Sequence, residues 1–427
     1  MVTLNTIKSF LSGNKALLNG SLFSVFSFVN KGFNFVLMLI LANYFTPAEY
    51  GYLSLFVTVT MLLGYFKALS TEGYISVAYF REGDSGISKT LSCVFFTSII
   101  FLTVISLLTL FFGNKLSVAF DLPLNVLFIA IITTFFTLYS NVLLDYIRIR
   151  EKVGLYGLIS CGSALFNVIL TVFLVVSLDC GWLGRVYSML VCAAIVGIIS
   201  LLWFFNKHYI GLPKKEYWLE MLKWGIPLIP HLGASFIRQG CDRYIINASH
   251  TIEDVGLFSF ALTLSTIITM VGYGFNQSNS VDIYKCLGSK FELNSEKAVR
   301  LRKLRKSMFL IYTVVTTIII VGCVTFIPLF FPAYTDAIKY FPFLAIYSWE
   351  VCIYLIYTNY LFYYKETKHL MYITLSSAIL HLVLSLLLTR YSLLITCMLY
   401  CITQLIVVFL IRRKALKLIN IKLVANE

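Results

Sequence analysis

Apolar runs of about twenty residues follow one another along this chain, and each is long enough to cross a bilayer as a helix. Twelve such runs are predicted, at 17–42, 49–70, 90–112, 123–147, 154–178, 182–205, 222–247, 255–278, 307–331, 338–363, 369–389 and 391–411. The first and seventh are unusually polar for spans. The break at 389–391 is the shortest. With 59% hydrophobic and 13% charged residues over 427 positions, and a mean hydropathy of +0.86, the chain has too little polar surface to cover a water-soluble fold. Lipid removes that difficulty, provided every backbone group is satisfied inside a helix.

The net charge of +14 has a topological pattern. If the spans alternate, segments on the N-terminal side hold 26 of the 34 Lys and Arg, including Lys8, Lys15, Arg148, Arg150, Lys152, Lys214, Lys215, Arg412, Arg413 and Lys414. The opposite segments hold only Lys115, Arg185, Lys339 and Arg390. That bias predicts both termini in the cytoplasm. It also reads the basic run Arg300–Lys306, in the long inner connection Asn279–Lys306, as a loop facing anionic lipid rather than nucleic acid. The ten cysteines are scattered, without a CxxC pair or a Cys/His cluster, and read as small buried hydrophobes. The polar stretch Met1–Gly13 and the long run after it do not fit a cleavable signal peptide.

Two stretches match at an offset of 205 residues: Glu49-Tyr50-Gly51-Tyr52-Leu53-Ser54-Leu55 and Asp254-Val255-Gly256-Leu257-Phe258-Ser259-Phe260. Each stands at the start of the second span of its half. Six spans per half keep both halves in the same orientation, so the repeat is parallel, about an axis along the membrane normal. The predicted organisation is an all-α integral membrane protein of two six-helix lobes around a central cavity. Residues 1–205 form the first lobe, 206–222 a cytoplasmic linker containing Pro213, and 223–427 the second lobe.

Ionisable residues inside spans are costly and mark cavities or partners. Ser24, Ser27, Lys31 and Asn34 in the first span share a helical face, as do His231, Ser235, Arg238 and Asp242 in the seventh. The eighth span continues with Ser259, Thr263, Thr266, Tyr273 and Gln277. Lys31, Arg238 and Arg243, with Asn34, are the candidate lining of a hydrated cavity whose positive charge suits an anionic ligand, and arginine grips phosphate bidentately. An ion pair of Arg238 with Asp242 at i, i+4 is the alternative. Glu350 and His381 read as lone ionisable groups, candidates with Asp242 for proton coupling or for structural pairing. Asp145 and Arg148 read as an interfacial anchor. Pro227 and Pro230 mark a break or kink at the start of the seventh span. No nucleotide loop, HExxH, GxSxG or sizeable outer loop is present, so the sequence predicts neither an ATP-driven motor nor an enzyme, and no cofactor or metal.

These residues resemble a family. LILANYFTPAEYGYLSLF is similar to the Leu-x-Pro-x-x-Tyr-Gly opening of bacterial polysaccharide flippases, with Thr46 where Leu-Gly is common before Pro47. The second half resembles the same family at Gly225, Pro227, Pro230, Asp242, Arg243, Val255, Gly256, Phe258 and Ser259, and RIREK and YYKETK also fit. The resemblance implies the multidrug/oligosaccharidyl-lipid/polysaccharide exporter superfamily, with two lobes that work by alternating access. It implies a bacterial inner-membrane flippase for an undecaprenyl-pyrophosphate-linked oligosaccharide, an O-antigen or related unit. Lys31, Arg238 and Arg243 would meet the anionic headgroup while the tail stays in the bilayer. Implied partners are that polyprenyl-pyrophosphate-linked oligosaccharide, membrane lipids, a polysaccharide polymerase and a chain-length regulator, with no nucleic acid. The competing readings are a cation-coupled multidrug exporter of the same superfamily and a membrane polysaccharide polymerase.

Overall fold

The computed structural model describes residues 15–229, 233, 236–238, 240–287 and 295–424. They contain helices and turns, and no strand among the described residues. In chain order the α-helices are α1 (Lys15–Ala42), α2 (Pro47–Phe66), α3 (Ile75–Phe120), α4 (Leu124–Ile149), α5 (Val153–Val172) and α6 (Gly181–Asn206). There follow α7 (Lys215–Gly225), α8 (Cys241–Ser249), α9 (Ile252–Leu287), α10 (Ser295–Phe330), α11 (Phe341–Tyr363), α12 (Thr367–Leu388) and α13 (Leu393–Val424). Ten of the described helices are long and apolar enough to cross a membrane. The second and seventh predicted spans complete a twelve-span reading: α2 has 20 residues but opens on a polar turn with Glu49, and the seventh is interrupted.

Helix ends depart from the predicted spans because apolarity marks membrane depth, not where a helix stops. The connection Asn279–Lys306 is not a loop: α9 runs to Leu287, and Arg300–Lys306 lies inside α10, which begins at Ser295. Arg, Lys and Leu are good helix formers, so the helix continues into the polar zone. The same reason extends α13 to Val424 and α3 well beyond 90–112. Near its start α3 is broken at Gly83, whose φ of 64° and ψ of −140° suit only glycine. A 3-10 turn, Thr389–Tyr391, separates α12 from α13 at the predicted break.

The seventh span is the larger correction. It is not one helix over 222–247. α7 ends at Gly225, a 3-10 turn (Ile226–Leu228) holds Pro227, and a fresh helix, α8, begins at Cys241 after the turn at Gly240. Pro230, His231 and Ser235 lie outside the described residues, as does the side chain of Gln277. Between Arg238 and Asp242 the turn at Gly240 interrupts the helical face expected of the pair. α7 packs on α3, where Trp218 Nε1 donates to Thr97 Oγ1 at 2.8 Å, and in the segment before α7 the backbone N–H of Gly211 donates to Ser92 Oγ at 3.0 Å.

The described chain divides into two compact units, one of Met1–Phe45 and Leu55–Gly233, the other of Thr46–Ser54 and Ala234–Glu427. In the first, α1 packs on α5, α4 on α6 and on α3, and α5 on α6. In the second, α8 packs on α12, α11 on α13 and on α10, and α12 on α13. These partnerships correspond between the units, while the extensive packing of α9 on α11 has no counterpart of like extent between α2 and α4. The core of the first unit gathers Leu91, Val94, Leu138, Tyr139 and Phe204, and that of the second Ile283, Leu301, Tyr360, Val407 and Ile411.

Within the second unit, the start of α2 meets the start of α9, and the matched sequences make matched structures. The Thr46 backbone N–H donates to Glu49 Oε2 at 3.0 Å while the Glu49 N–H returns to Thr46 Oγ1 at 3.2 Å. Thr251 and Asp254 make the same reciprocal capping box at 3.2 Å each way. A Cβ on Gly51 would collide with the Ile252 carbonyl oxygen, and one on Gly256 with the Pro47 carbonyl oxygen. The two glycines thus let the helices approach backbone to backbone. The Ser54 and Ser259 hydroxyls meet at 2.6 Å.

A further clamp closes the α11–α12 turn. Glu366 reaches His369 Nδ1 at 2.6 Å and Lys414 Nζ, on α13, at 3.3 Å. Burial raises the Glu366 carboxyl, but the hydrogen bonds and charges of Lys414 and His369 outweigh it and hold the group below its ordinary value.

Candidate functional site

Asp242, at the start of α8, is 1% exposed, and His381, midway along α12, is 2% exposed. His381 Nε2 donates to Asp242 Oδ2 at 2.8 Å. Sequence reading took His381 for a lone group, but 139 residues of chain bring it onto this carboxylate. The other carboxylate oxygen accepts the Ser385 hydroxyl. Ser385 lies 3.2 Å from Thr389 Oγ1, which in turn accepts from Thr396 at 2.9 Å. With the Ser385 proton on Asp242, the donors run in one direction, from Thr396 through Thr389 and Ser385 to the carboxylate.

The ring's far side is equally constrained. Thr403 Oγ1, which hydrogen-bonds the Leu399 carbonyl at 2.7 Å, lies 3.2 Å from His381 Nδ1. The Tyr400 ring packs edge-on to His381, with centroids 4.8 Å apart.

Arg238 does not pair with Asp242. The chain turns at Gly240, so the i, i+4 spacing is not carried by a continuous helix. Its Nη2 donates to Ser377 Oγ at 2.8 Å, and its Nη1 donates to Gln404 Oε1. Ser377 passes its own proton to the Thr403 carbonyl at 2.9 Å. The Arg238 Nε is buried without a hydrogen-bond partner among the described residues. No carboxylate pairs with Arg238 among the described residues. Its surroundings orient the guanidinium without neutralising it.

Arg243, on the next position after Asp242, turns elsewhere: its Nε donates to Ser259 Oγ at 3.2 Å, at the α2–α9 crossing. Glu350 is 4% exposed, and its Oε2 is buried without a hydrogen-bond partner among the described residues.

Lys31 and Asn34 belong to the first unit, and both side chains are exposed. Asn34 Nδ2 donates to the Asn30 carbonyl at 3.1 Å, and Asn30 Nδ2 donates to the Ser160 carbonyl on α5 at 2.8 Å. Asn34 Oδ1 accepts Arg185 Nη2 at 3.4 Å. Arg185 was counted with the charges of the outer segments, yet it is 6% exposed within α6. Its Nη1 donates to Asn167 Oδ1 and, at 3.0 Å, to Thr171 Oγ1, both on α5. Thr171 and Ser188 share a hydrogen bond of 2.6 Å.

Some residues of these networks carried a readable signal. Ser377, His381 and Ser385 recur every four residues on α12, one helical face. Asn167 and Thr171 on α5 are likewise i, i+4. The pairing of Asp242 with His381, and of Arg185 with α5, is long-range and left no spacing to read.

With that geometry in hand, the relatives are informative. A family model described as polysaccharide biosynthesis protein matches residues 16–281. The chain belongs to that family. This polysaccharide biosynthesis protein is 22% identical over 354 residues to an uncharacterized membrane protein of Haemophilus influenzae, covering 82% of this chain and 84% of the relative. It is 24% identical over 366 residues to the Lsg locus putative protein 1 of the same organism, covering 81% and 84%. Among solved structures, it superposes on the inward-facing conformation of a multidrug resistance MATE family transporter of the MOP superfamily with a TM-score of 0.71. That match has 14% identity over 93% of this chain and 95% of the transporter. The polysaccharide biosynthesis protein is thus a multi-pass membrane protein with the fold of a MOP-superfamily transporter.

Proposed function

We propose that this protein is a flippase that carries a polyprenyl-pyrophosphate-linked oligosaccharide, an O-antigen or related repeat unit, across the bacterial cytoplasmic membrane by alternating access. The observation that carries the reading is Arg238, a largely buried guanidinium caged by the neutral oxygens of Gln404 and Ser377. A cation kept at membrane depth without a carboxylate favours a ligand that brings its own negative charge. Pyrophosphate supplies that charge, and the polysaccharide family supplies the class of molecule that bears it. Within the first unit Lys31 and Asn34 are exposed polar side chains suited to such a headgroup, and within the second Arg243 lies at the α2–α9 crossing. A cationic drug would be repelled by the same arginine.

The Asp242–His381 pair is the proposed coupling device, with Glu350 a further candidate. A buried histidine–carboxylate pair at the end of a hydroxyl relay is placed to pass a proton when its surroundings change. The basic bias of alternate connections supports cytoplasmic termini. A polymerase and a chain-length regulator would take up the delivered unit outside.

Reconstituted vesicles test the reading. Lipid-linked oligosaccharide placed in one leaflet should appear in the other when the protein is present, faster under an imposed pH gradient. A protein that leaves the glycolipid where it was, yet exports a cationic dye, is a drug exporter and not this flippase.

A further inference from the structure

The first unit holds a charge that its surroundings do not balance. Arg185 sits in the opening turns of α6 with its side chain removed from solvent, and every atom that holds it is a neutral oxygen: Asn167 Oδ1, Thr171 Oγ1 and Asn34 Oδ1. No ion pair of Arg185 with Asp or Glu occurs among the described residues. Burying a guanidinium is costly, and the usual remedy is a carboxylate. Here an asparagine occupies the place of closest contact, where an aspartate of the same shape would have neutralised the charge.

The two ends of the guanidinium differ. Nη1 is gripped by two oxygens of α5, which fix the plane of the group. Among the described residues Nη2 has one acceptor, the exposed Asn34 side chain at 3.4 Å, the longest bond of the set. Asn34 also holds Asn30 through its own amide, so it can leave Arg185 without losing its place on α1. Three residues earlier on α1, Lys31 is exposed on the same side of the helix. A cation fixed at one edge, with a loosely held edge behind an exposed amide, is arranged to exchange that amide for a charged acceptor.

We propose that Arg185 is an anion-binding residue of the first unit, whose Nη2 edge takes a phosphate oxygen of the carried glycolipid in place of Asn34. Asn167 and Thr171 position it, and Lys31 lies on the approach. The proposal rests on the flippase reading and adds to it a phosphate contact within the first unit.

The test uses the full chain in phosphatidylcholine nanodiscs, with undecaprenyl diphosphate and undecaprenol as probes. Wild type should bind the diphosphate more tightly than the alcohol. Asn167→Asp gives Arg185 an internal counter-ion. It should hold or raise the thermal midpoint while weakening diphosphate binding by about tenfold or more, with the alcohol unaffected. Arg185→Gln, which keeps hydrogen bonding without charge, should show the same selective loss and guards against a variant that fails to fold. If both variants bind the diphosphate like wild type while Arg238→Ala does not, Arg185 is only a structural tie and the flippase reading stands. If wild type itself shows no preference for the diphosphate, the flippase reading falls and this site with it. Displacement of the probe by phosphatidylglycerol at equal affinity would make the site one for bulk anionic lipid and overturn the proposal.

Discussion

Ser54 and Ser259 occupy the same position in two repeats 205 residues apart, and their hydroxyls touch at 2.6 Å. Around them the chain repeats its own chemistry: Gly51 faces the carbonyl of Ile252, and Gly256 faces the carbonyl of Pro47. Arg243 joins from α8 through Ser259. Two helices can come this close only where neither carries a side chain.

Gly51→Val and Gly256→Val should therefore each force α2 and α9 apart, costing about 1–3 kcal/mol through overpacking. Thermal unfolding in detergent would register the loss. Gly64→Ala is the control, since a Cβ there meets nothing within 4 Å, and it should leave the midpoint unchanged or slightly raised.

Breaking the Asp242–His381 pair should be more damaging than removing it. Asp242→Asn or His381→Ala leaves one buried partner uncompensated, a loss on the order of 3–5 kcal/mol. Substituting both should cost less than the sum of the singles. A double-mutant cycle on unfolding free energies measures the coupling, and additive effects would show that the two groups do not depend on each other.

Lys31→Ala and Arg238→Ala should abolish surface polysaccharide without removing the protein from the membrane. Immunoblotting of membranes beside polysaccharide staining separates the two effects. Arg238→Lys should restore little, because a point charge cannot reach Gln404 and Ser377 together as the fork does.

The Glu366 clamp has a direction in pH. Its carboxyl is held below the ordinary value of 4.5, so the clamp's contribution is present above that pH and is lost as pH falls through the lower, folded-state value. Unfolding midpoints from pH 6 downward should fall more steeply for wild type than for Glu366→Gln, which lacks the contribution throughout.

The sequence made the membrane fold legible because a bilayer imposes length and apolarity on every span, and the repeat because Gly51 and Gly256 sit in matching frames. It misjudged helix ends wherever charge and helix coexist, as at Arg300–Lys306, since a helix does not stop at the edge of the lipid. It joined Arg238 and Asp242 on one face because nothing in the spacing revealed the turn at Gly240. It filed Arg185 with the loop charges because position near a span end looks the same whether a side chain points out or is swallowed by a neighbouring helix. His381 was found as an oddity but not as a partner, for the residue that completes it lies 139 positions away.

A residue that meets its own counterpart lies on an axis of symmetry. A polypeptide of half this length, pairing with a second copy of itself, would bring one serine against the same serine in the other copy. Fusing the copies frees each to drift alone. Here the serines and glycines at the point of contact still match, while the flanking caps differ as Glu49 and Asp254, and the equivalent residues Pro47 and Ile252 each turn a carbonyl to the glycine of the other helix. The match persists where two backbones touch, because there a change on either side displaces both.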